Sequence, residues 1–145
     1  MTYLVDTNLL LYPHDQAESE KGRRASEVLL ALSKNGRAAL PAQALAEFAN
    51  VALRKLRLPD QDVYDQLEDL SRAFPVLPLT EWIVLEALRG VRDHRFSYYD
   101  SQVWAAAKLN QMPVVLSEDF PGGATVEGVS FVNPFEKDFD LAILG

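Results

Sequence analysis

Short apolar runs alternate with longer stretches of helical periodicity along nearly the whole chain, and this alternation limits the fold more than any other feature. Residues 2–5, 76–77, 113–116 and 129–132 read as short buried strands. Ala38-Ala39-Leu40 is too short to assign alone, but it sits where a second strand would lie. Between these runs, residues 18–35 place Ala25, Val28, Leu29 and Leu32 on one helical face and end at Asn35-Gly36, a C-terminal stop. Pro41 opens a helix carrying Leu45, Phe48, Ala49, Ala52, Leu53 and Leu56, and Pro59-Asp60 breaks it. Val63, Leu67, Leu70 and Phe74 mark the next helix, and Thr80 is an N-cap for one running through Trp82, Leu85 and Leu88. A last helix covers residues 97–110, and Leu9 to Tyr12 makes one helical turn stopped by Pro13. Strands alternating with helices predict an α/β fold whose mostly parallel sheet is covered on both faces. At 145 residues, without repeat, linker or low-complexity tract, the chain suits a single domain over residues 1–145. The tail, residues 134–145, has Phe135, Phe139, Leu141, Ile143 and Leu144 to pack on the core, or it frays.

In open α/β sheets ligands bind at strand ends. Asp6 ends Tyr3-Leu4-Val5, Asp119 follows Val114-Val115-Leu116, and Asp100 opens a helix with small residues along one face. Glu47 is the fourth acid of interest. Carboxylates gathered together repel one another unless a cation sits between them. The chain has no cysteine, so the fitting ion is a hard, oxygen-preferring one, Mg²⁺ or Mn²⁺. Each acid also has an ordinary explanation: Asp6 as an N-cap, Glu47 as an exposed helix residue, Asp100 as a cap, and Asp119 as a turn residue ahead of Pro121-Gly122-Gly123.

Other chemistries find little support. His14 and His94 stand far apart with no cysteine between them, which is not zinc spacing. The chain contains no Gly-x-Ser-x-Gly elbow, no Gly-x-Gly-x-x-Gly and no phosphate-binding Walker loop. No apolar run is long enough to cross a bilayer, the first residues do not form a signal peptide, and the lack of cysteine suits a cytoplasmic protein. With 14 Lys and Arg against 21 Asp and Glu, the net charge is −7, so any nucleic-acid contact must rest on local patches and a bound metal.

Leu4-Val5-Asp6-Thr7-Asn8, Ala46-Glu47-Phe48-Ala49-Asn50, Tyr98-Tyr99-Asp100-Ser101 and Leu116-Ser117-Glu118-Asp119-Phe120 together resemble, in order, the four motifs of the PIN-domain superfamily. Within it the chain is most similar to the VapC toxins of bacterial toxin–antitoxin pairs, over residues 3–134. The resemblance implies a three-layer α/β/α fold and a Mg²⁺- or Mn²⁺-dependent ribonuclease with an acidic pocket of Asp6, Glu47, Asp100 and Asp119. It further implies that Asp6 and Asp100 ligate the metal directly, while Glu47 and Asp119 bind a second ion or act through ordered water. The partners it implies are an RNA substrate, a cognate antitoxin whose tail crosses the pocket, and a second copy of the chain in a homodimer.

Around the acids, Thr7, Asn8 and Ser117 can hydrogen-bond a ligand residue or a phosphate, or satisfy turn and cap groups. Asn50 shares a helical face with Glu47. Glu118 should point away from the pocket. Asp93 is a fifth candidate or a loop residue, and Asp60, Asp62, Asp65, Glu68 and Asp69 form a solvated helix face. The cations fall into two groups: Lys21, Arg23 and Arg24, then Arg54, Lys55 and Arg57. Arg54 and Lys55, seven and eight positions beyond Glu47, can receive an RNA backbone or simply complement a helix end. Phe96, Tyr98, Tyr99 and Trp104 can stack on unpaired bases, although Trp104 in an Ala-rich helix suits the core better. Leu9, Leu10, Tyr12 and Val51 suit either a partner groove or the core. Two other functions compete: a PIN-like module that binds RNA or protein without catalysis, and an aspartate-dependent phosphatase. For the phosphatase, Asp6-Thr7-Asn8 departs from Asp-x-Asp-x-Thr, with Asn at position 8 and no Thr at position 10.

Overall fold

The sheet is built on the apolar runs. In a computed structural model that describes residues 2–120 and 123–145, strands β1 (Tyr3–Val5), β2 (Ala38–Pro41), β3 (Val76–Leu77), β4 (Val114–Leu116), β5 (Thr125–Val126) and β6 (Val129–Val132) lie in the order β3-β2-β1-β4-β6-β5. All pairs are parallel except β5–β6. Pro121 and Gly122, of the turn expected after Asp119, lie outside the described residues.

Side chains of the central strands alternate between two cores, as strand geometry requires. Tyr3, Val5, Ala38, Leu40, Val114 and Leu116 face one side, where they meet helices α1 (Thr7–Leu11), α2 (Ser19–Asn35), α3 (Ala42–Arg54) and α4 (Asp60–Ala73). Leu4, Ala39, Val115, Val129 and Phe131 face the other, against α5 (Glu81–His94) and α6 (Tyr98–Leu109). The result is the expected three-layer α/β/α arrangement.

Local signals set the helix ends. Gly36 closes α2 in the left-handed region at φ 67°, and Thr80 Oγ1 accepts from the Ile83 N–H at 3.3 Å to start α5. The tail packs on the first core: Leu144 is fully buried in a short 3₁₀ turn (Leu141–Leu144), and Phe135, Phe139 and Leu141 lie against the same cluster. Helices α5 and α6 approach closely at Gly90, where a Cβ would fall on Ser101 Oγ and within 2.8 Å of the Trp104 ring. There the Ser101 hydroxyl donates to the Ala87 carbonyl at 2.6 Å.

The first α-helix begins at Thr7, earlier than Leu9, and ends at Leu11 ahead of Pro13, which itself lies in the first turn of a 3₁₀ helix (Tyr12–His14), where its missing N–H is not needed. Asp93 lies within α5 and pairs with Arg89 at 3.1 Å and Arg92 at 2.7 Å, so it is neither a loop residue nor a pocket acid. The short strand β5 was not anticipated. It forms a hairpin with β6 through Glu127 (φ 49°) and Gly128 (φ 85°), both left-handed as a two-residue primed turn demands.

Candidate active site

Strand order places the site before any side chain is considered. The chain leaves β1 to one side for β2 and returns on the other as β4, so the carboxyl ends of β1 and β4 flank a topological switch point. Val5 pairs with Leu116 at these ends. Backbone bonds carry the pairing one residue further: the Asp6 N–H donates to the Leu116 carbonyl and the Ser117 N–H to the Val132 carbonyl, each at 3.0 Å. Asp6 and Ser117 therefore emerge side by side. The Ser117 hydroxyl donates to Asp6 Oδ2 at 2.7 Å and accepts from the Asp119 N–H at 3.1 Å, while the Thr7 N–H donates to Asp6 Oδ1 at 2.8 Å.

Asp6 is buried, and loss of hydration pushes its carboxyl from 3.8 up to about 6. The bonds from Ser117 and Thr7 oppose that rise, and the charges of Asp119 and Glu47 add to it. Asp119 is exposed by area, yet its carboxyl is also raised, by partial desolvation first and then by Asp100, Glu118 and Glu47. The Asn8 amide partly offsets that rise although it lies outside hydrogen-bond geometry, and both of its polar atoms are buried without a partner. Thr7 Oγ1 is likewise unpartnered. Asp6 thus sits in the fields of Asp119 and Glu47, and Asp119 in those of Asp100 and Glu47: Glu47 comes from the middle of α3, Asp100 from the first turn of α6, and Asp6 and Asp119 from strand ends.

Among the described residues, no three His, Asp or Glu side chains are gathered tightly enough to share one metal ion. The donor chemistry still fits Mg²⁺ or Mn²⁺, since Mg²⁺ takes only one or two protein carboxylates and keeps several waters. The orphaned Asn8 amide and Thr7 hydroxyl are groups that such water, or a phosphate, would satisfy.

Beside Glu47 opens a groove of about 690 Å³, lined by Ala46, Val51, Leu79, Val84, Tyr98 and Tyr99, with Asn50 on the same helical face as Glu47. Tyr99 is exposed and Tyr98 half-buried at its wall, whereas Trp104 is fully buried in the second core and Phe96, half-buried, packs against it. Leu9 and Leu10 belong to the first core, with Leu10 also lining a groove beside Pro13 and His14, and Val51 lines the groove beside Glu47. Arg54 and Lys55 close α3 and are exposed, roughly 10 Å along the helix axis from Glu47. Glu118 turns away from the pocket, as expected, onto Lys21 at 2.6 Å and the Tyr12 hydroxyl. The histidines are less free than surface positions would be. His14 packs edge-on against Phe48, and His94 bonds Glu127 and lies against Trp104.

Two functional candidates escaped sequence inspection. Gln43 and Gln102 are buried between α3 and α6, and Gln43 Nε2 donates to Glu47 Oε1 at 2.6 Å. The available signal was a pair of glutamines on otherwise apolar helix faces, Gln43 one turn before Glu47.

With the geometry in place, comparison with known proteins gives two findings. The family model described as the PIN domain matches residues 3–120. A solved structure titled a toxin–antitoxin complex from Klebsiella pneumoniae superposes with a TM-score of 0.67 at 20% identity, over 93% of this chain and 99% of that one. No curated protein sequence matches.

Proposed function

This chain belongs to the PIN-domain family, and on that premise we propose that it is a metal-dependent endoribonuclease acting as the toxin of a toxin–antitoxin pair. The observation that carries the proposal is Asp6: a buried carboxyl at the sheet's switch point, pushed up to about 6 and sharing the field of Glu47 and Asp119. Asp6 also caps α1, but a cap does not call for the neighbouring carboxylates, whose repulsion a divalent cation would relieve.

Asp6 and Asp100 would hold the ion. When bound, a hard divalent cation offsets the charge on phosphoryl oxygens and lowers the pKa of water. Ser117 holds Asp6 in one orientation and, through the Asp119 N–H, sets the turn that presents Asp119. Glu47 and Asp119 orient the attacking water and accept its proton. The partly desolvated Asp119 carboxyl is the better proton acceptor for having its pKa raised. Asn8 and Thr7 supply donors for a phosphate oxygen, and Arg54 and Lys55 receive the backbone further along α3. Tyr99 offers a ring to an unpaired base.

The groove beside Glu47 suits an antitoxin segment with apolar side chains and a cation, since Ala46, Val51, Leu79 and Val84 line it next to a carboxylate. The neighbour's title, a toxin–antitoxin complex, supports a partner of that kind. The single-domain organisation, the homodimer and a cytoplasmic setting belong to the same proposal. Among the described residues no helix is long and apolar enough to cross a membrane.

The test is cleavage of single-stranded RNA with Mg²⁺ or Mn²⁺, with EDTA and a phosphomonoester as controls. Metal-restored cleavage is expected. Undiminished cleavage in EDTA refutes the metal mechanism, hydrolysis of the monoester alone moves the protein to the phosphatases, and RNA binding without cleavage makes it a binding module.

A further inference from the structure

Gln43 and Gln102 are nearly inaccessible and uncharged, yet they stand between the two helices that present Glu47 and Asp100. Their bonds have a fixed polarity. An ionised carboxylate only accepts, so Gln43 must turn Nε2 toward Glu47, which it reaches at 2.6 Å. The second Nε2 hydrogen goes to the Tyr99 carbonyl at 3.2 Å, in the first turn of α6 next to Asp100. That leaves Gln43 Oε1, which accepts from Gln102 Nε2 at 2.7 Å. One amide thus grips the side chain of α3 that bears the acid and the backbone of α6 that bears another, and a second amide holds the first in place.

We propose that Gln43, anchored by Gln102, is a positioning residue that fixes the spacing of Glu47 and Asp100 for the reaction. This rests on the ribonuclease function proposed above. An amide suits the role because it supplies donors without charge. A lysine or arginine at position 43 would neutralise Glu47 and oppose the arrival of a divalent cation. An apolar residue would leave the flexible Glu47 side chain to sample several rotamers. Groups that orient metal-site carboxylates in this way matter nearly as much as the ligands themselves.

The full-length protein carrying Gln43→Met, Gln102→Met or both decides the matter, with steady-state RNA cleavage and calorimetric Mn²⁺ titration in the absence of RNA. Gln43→Met should lower kcat by about 10- to 100-fold and weaken Mn²⁺ binding by roughly 10-fold, the usual cost of losing such a group. KM should change less than kcat, because Arg54, Lys55 and the Tyr99 ring remain, although Gln43 itself lines the groove beside Glu47. Gln102→Met should act in the same direction but less. The double variant should be no worse than Gln43→Met, because Gln102 acts only through Gln43, whereas independent packing losses would add. Additive losses, or a folded Gln43→Met protein with kcat and Mn²⁺ affinity equal to the parent's, overturn the proposal. If Gln43→Met fails to fold by circular dichroism, Gln102→Met decides alone: unchanged kcat and Mn²⁺ affinity there refute the anchor. If the parent itself does not cleave RNA, the ribonuclease function fails, while the Mn²⁺ titrations still test the brace.

Discussion

Replacing Asp6 with Asn separates the electrostatic cost of the site from its shape. Asp6 is 5% exposed, and burial is the largest cause of its rise from 3.8 to about 6. A carboxyl whose folded value lies above its unfolded one binds more protons in the native state. Its stabilising contribution is full below about pH 4 and is lost as the pH climbs through 6. At pH 7.5, a rise of that size corresponds to roughly 3 kcal/mol held against the fold. Asn carries no charge and keeps the acceptor for the Thr7 N–H, but its Nδ2 meets Ser117 Oγ as a donor. The Ser117 hydrogen then loses its acceptor, at a cost of about 1 kcal/mol. The metal-free variant should therefore be more stable than the parent by about 2 kcal/mol at pH 7.5, or roughly 6 °C in Tm for a chain of this size. Below about pH 4 it should be less stable by about 1 kcal/mol, since the parent's Asp6 is then protonated. Urea unfolding of both proteins in EDTA, from pH 4 to 7.5, measures the difference. A difference that does not vary with pH, or a variant less stable than the parent at pH 7.5, refutes the assignment of a charged, strained carboxyl at this position. Mg²⁺ should then raise the parent's Tm and not the variant's.

Asp100→Asn should abolish cleavage and most of the Mg²⁺-induced rise in Tm, with little change in metal-free stability, since Asn is tolerated near a helix start as well as Asp; an active variant with an unchanged Mg²⁺ response would remove Asp100 from the site. Gly90→Ala should cost about 3 kcal/mol or more in chemical unfolding, because its Cβ would fall on Ser101 Oγ and 2.8 Å from Trp104, forcing α5 off α6. Arg54→Ala with Lys55→Ala should weaken RNA binding and reduce the slope of log K against log salt by roughly 0.7 per cation. An unchanged slope would place the RNA path elsewhere.

How far the chain could be read from residues alone follows from the range of the forces involved. Strands such as Tyr3–Val5 and Val114–Leu116 were legible because a strand buried on both faces must be apolar throughout. Helices closed by Asn35-Gly36 or opened by Thr80 were legible because caps are local. The hairpin of β5 and β6 was not, because its turn uses Glu127 at positive φ in place of the usual Asn or Asp, and β5 has only two residues. Glu118, next to Asp119, points to Lys21 and Tyr12, as the alternation of neighbouring side chains predicts. The pairing of Asp6 with Ser117, by contrast, spans 111 positions and depends on which strand lies beside β1.

The same distinction separates the acids from what holds them. A carboxylate at a strand end stands out in a sequence because it breaks an apolar run. The amides that position it lie on helix faces where a glutamine looks like an ordinary polar substitution. Only the meeting of α3 and α6 turns Gln43 and Gln102 into a bonded pair, and it does so 59 positions apart. The direction of the pair is then fixed by chemistry rather than by packing: Glu47 can only accept, so each amide in turn must present its donor toward the acid. Asp6, by contrast, is oriented by the Ser117 hydroxyl just past β4 and by the Thr7 N–H that opens α1, so its placement follows from the sheet register and the helix start beside it. The pocket is therefore held in two independent ways, by strand pairing on one side and by a helix-to-helix amide bridge on the other. Disturbing the bridge should change the spacing of Glu47 and Asp100 while leaving Asp6 and Ser117 in register.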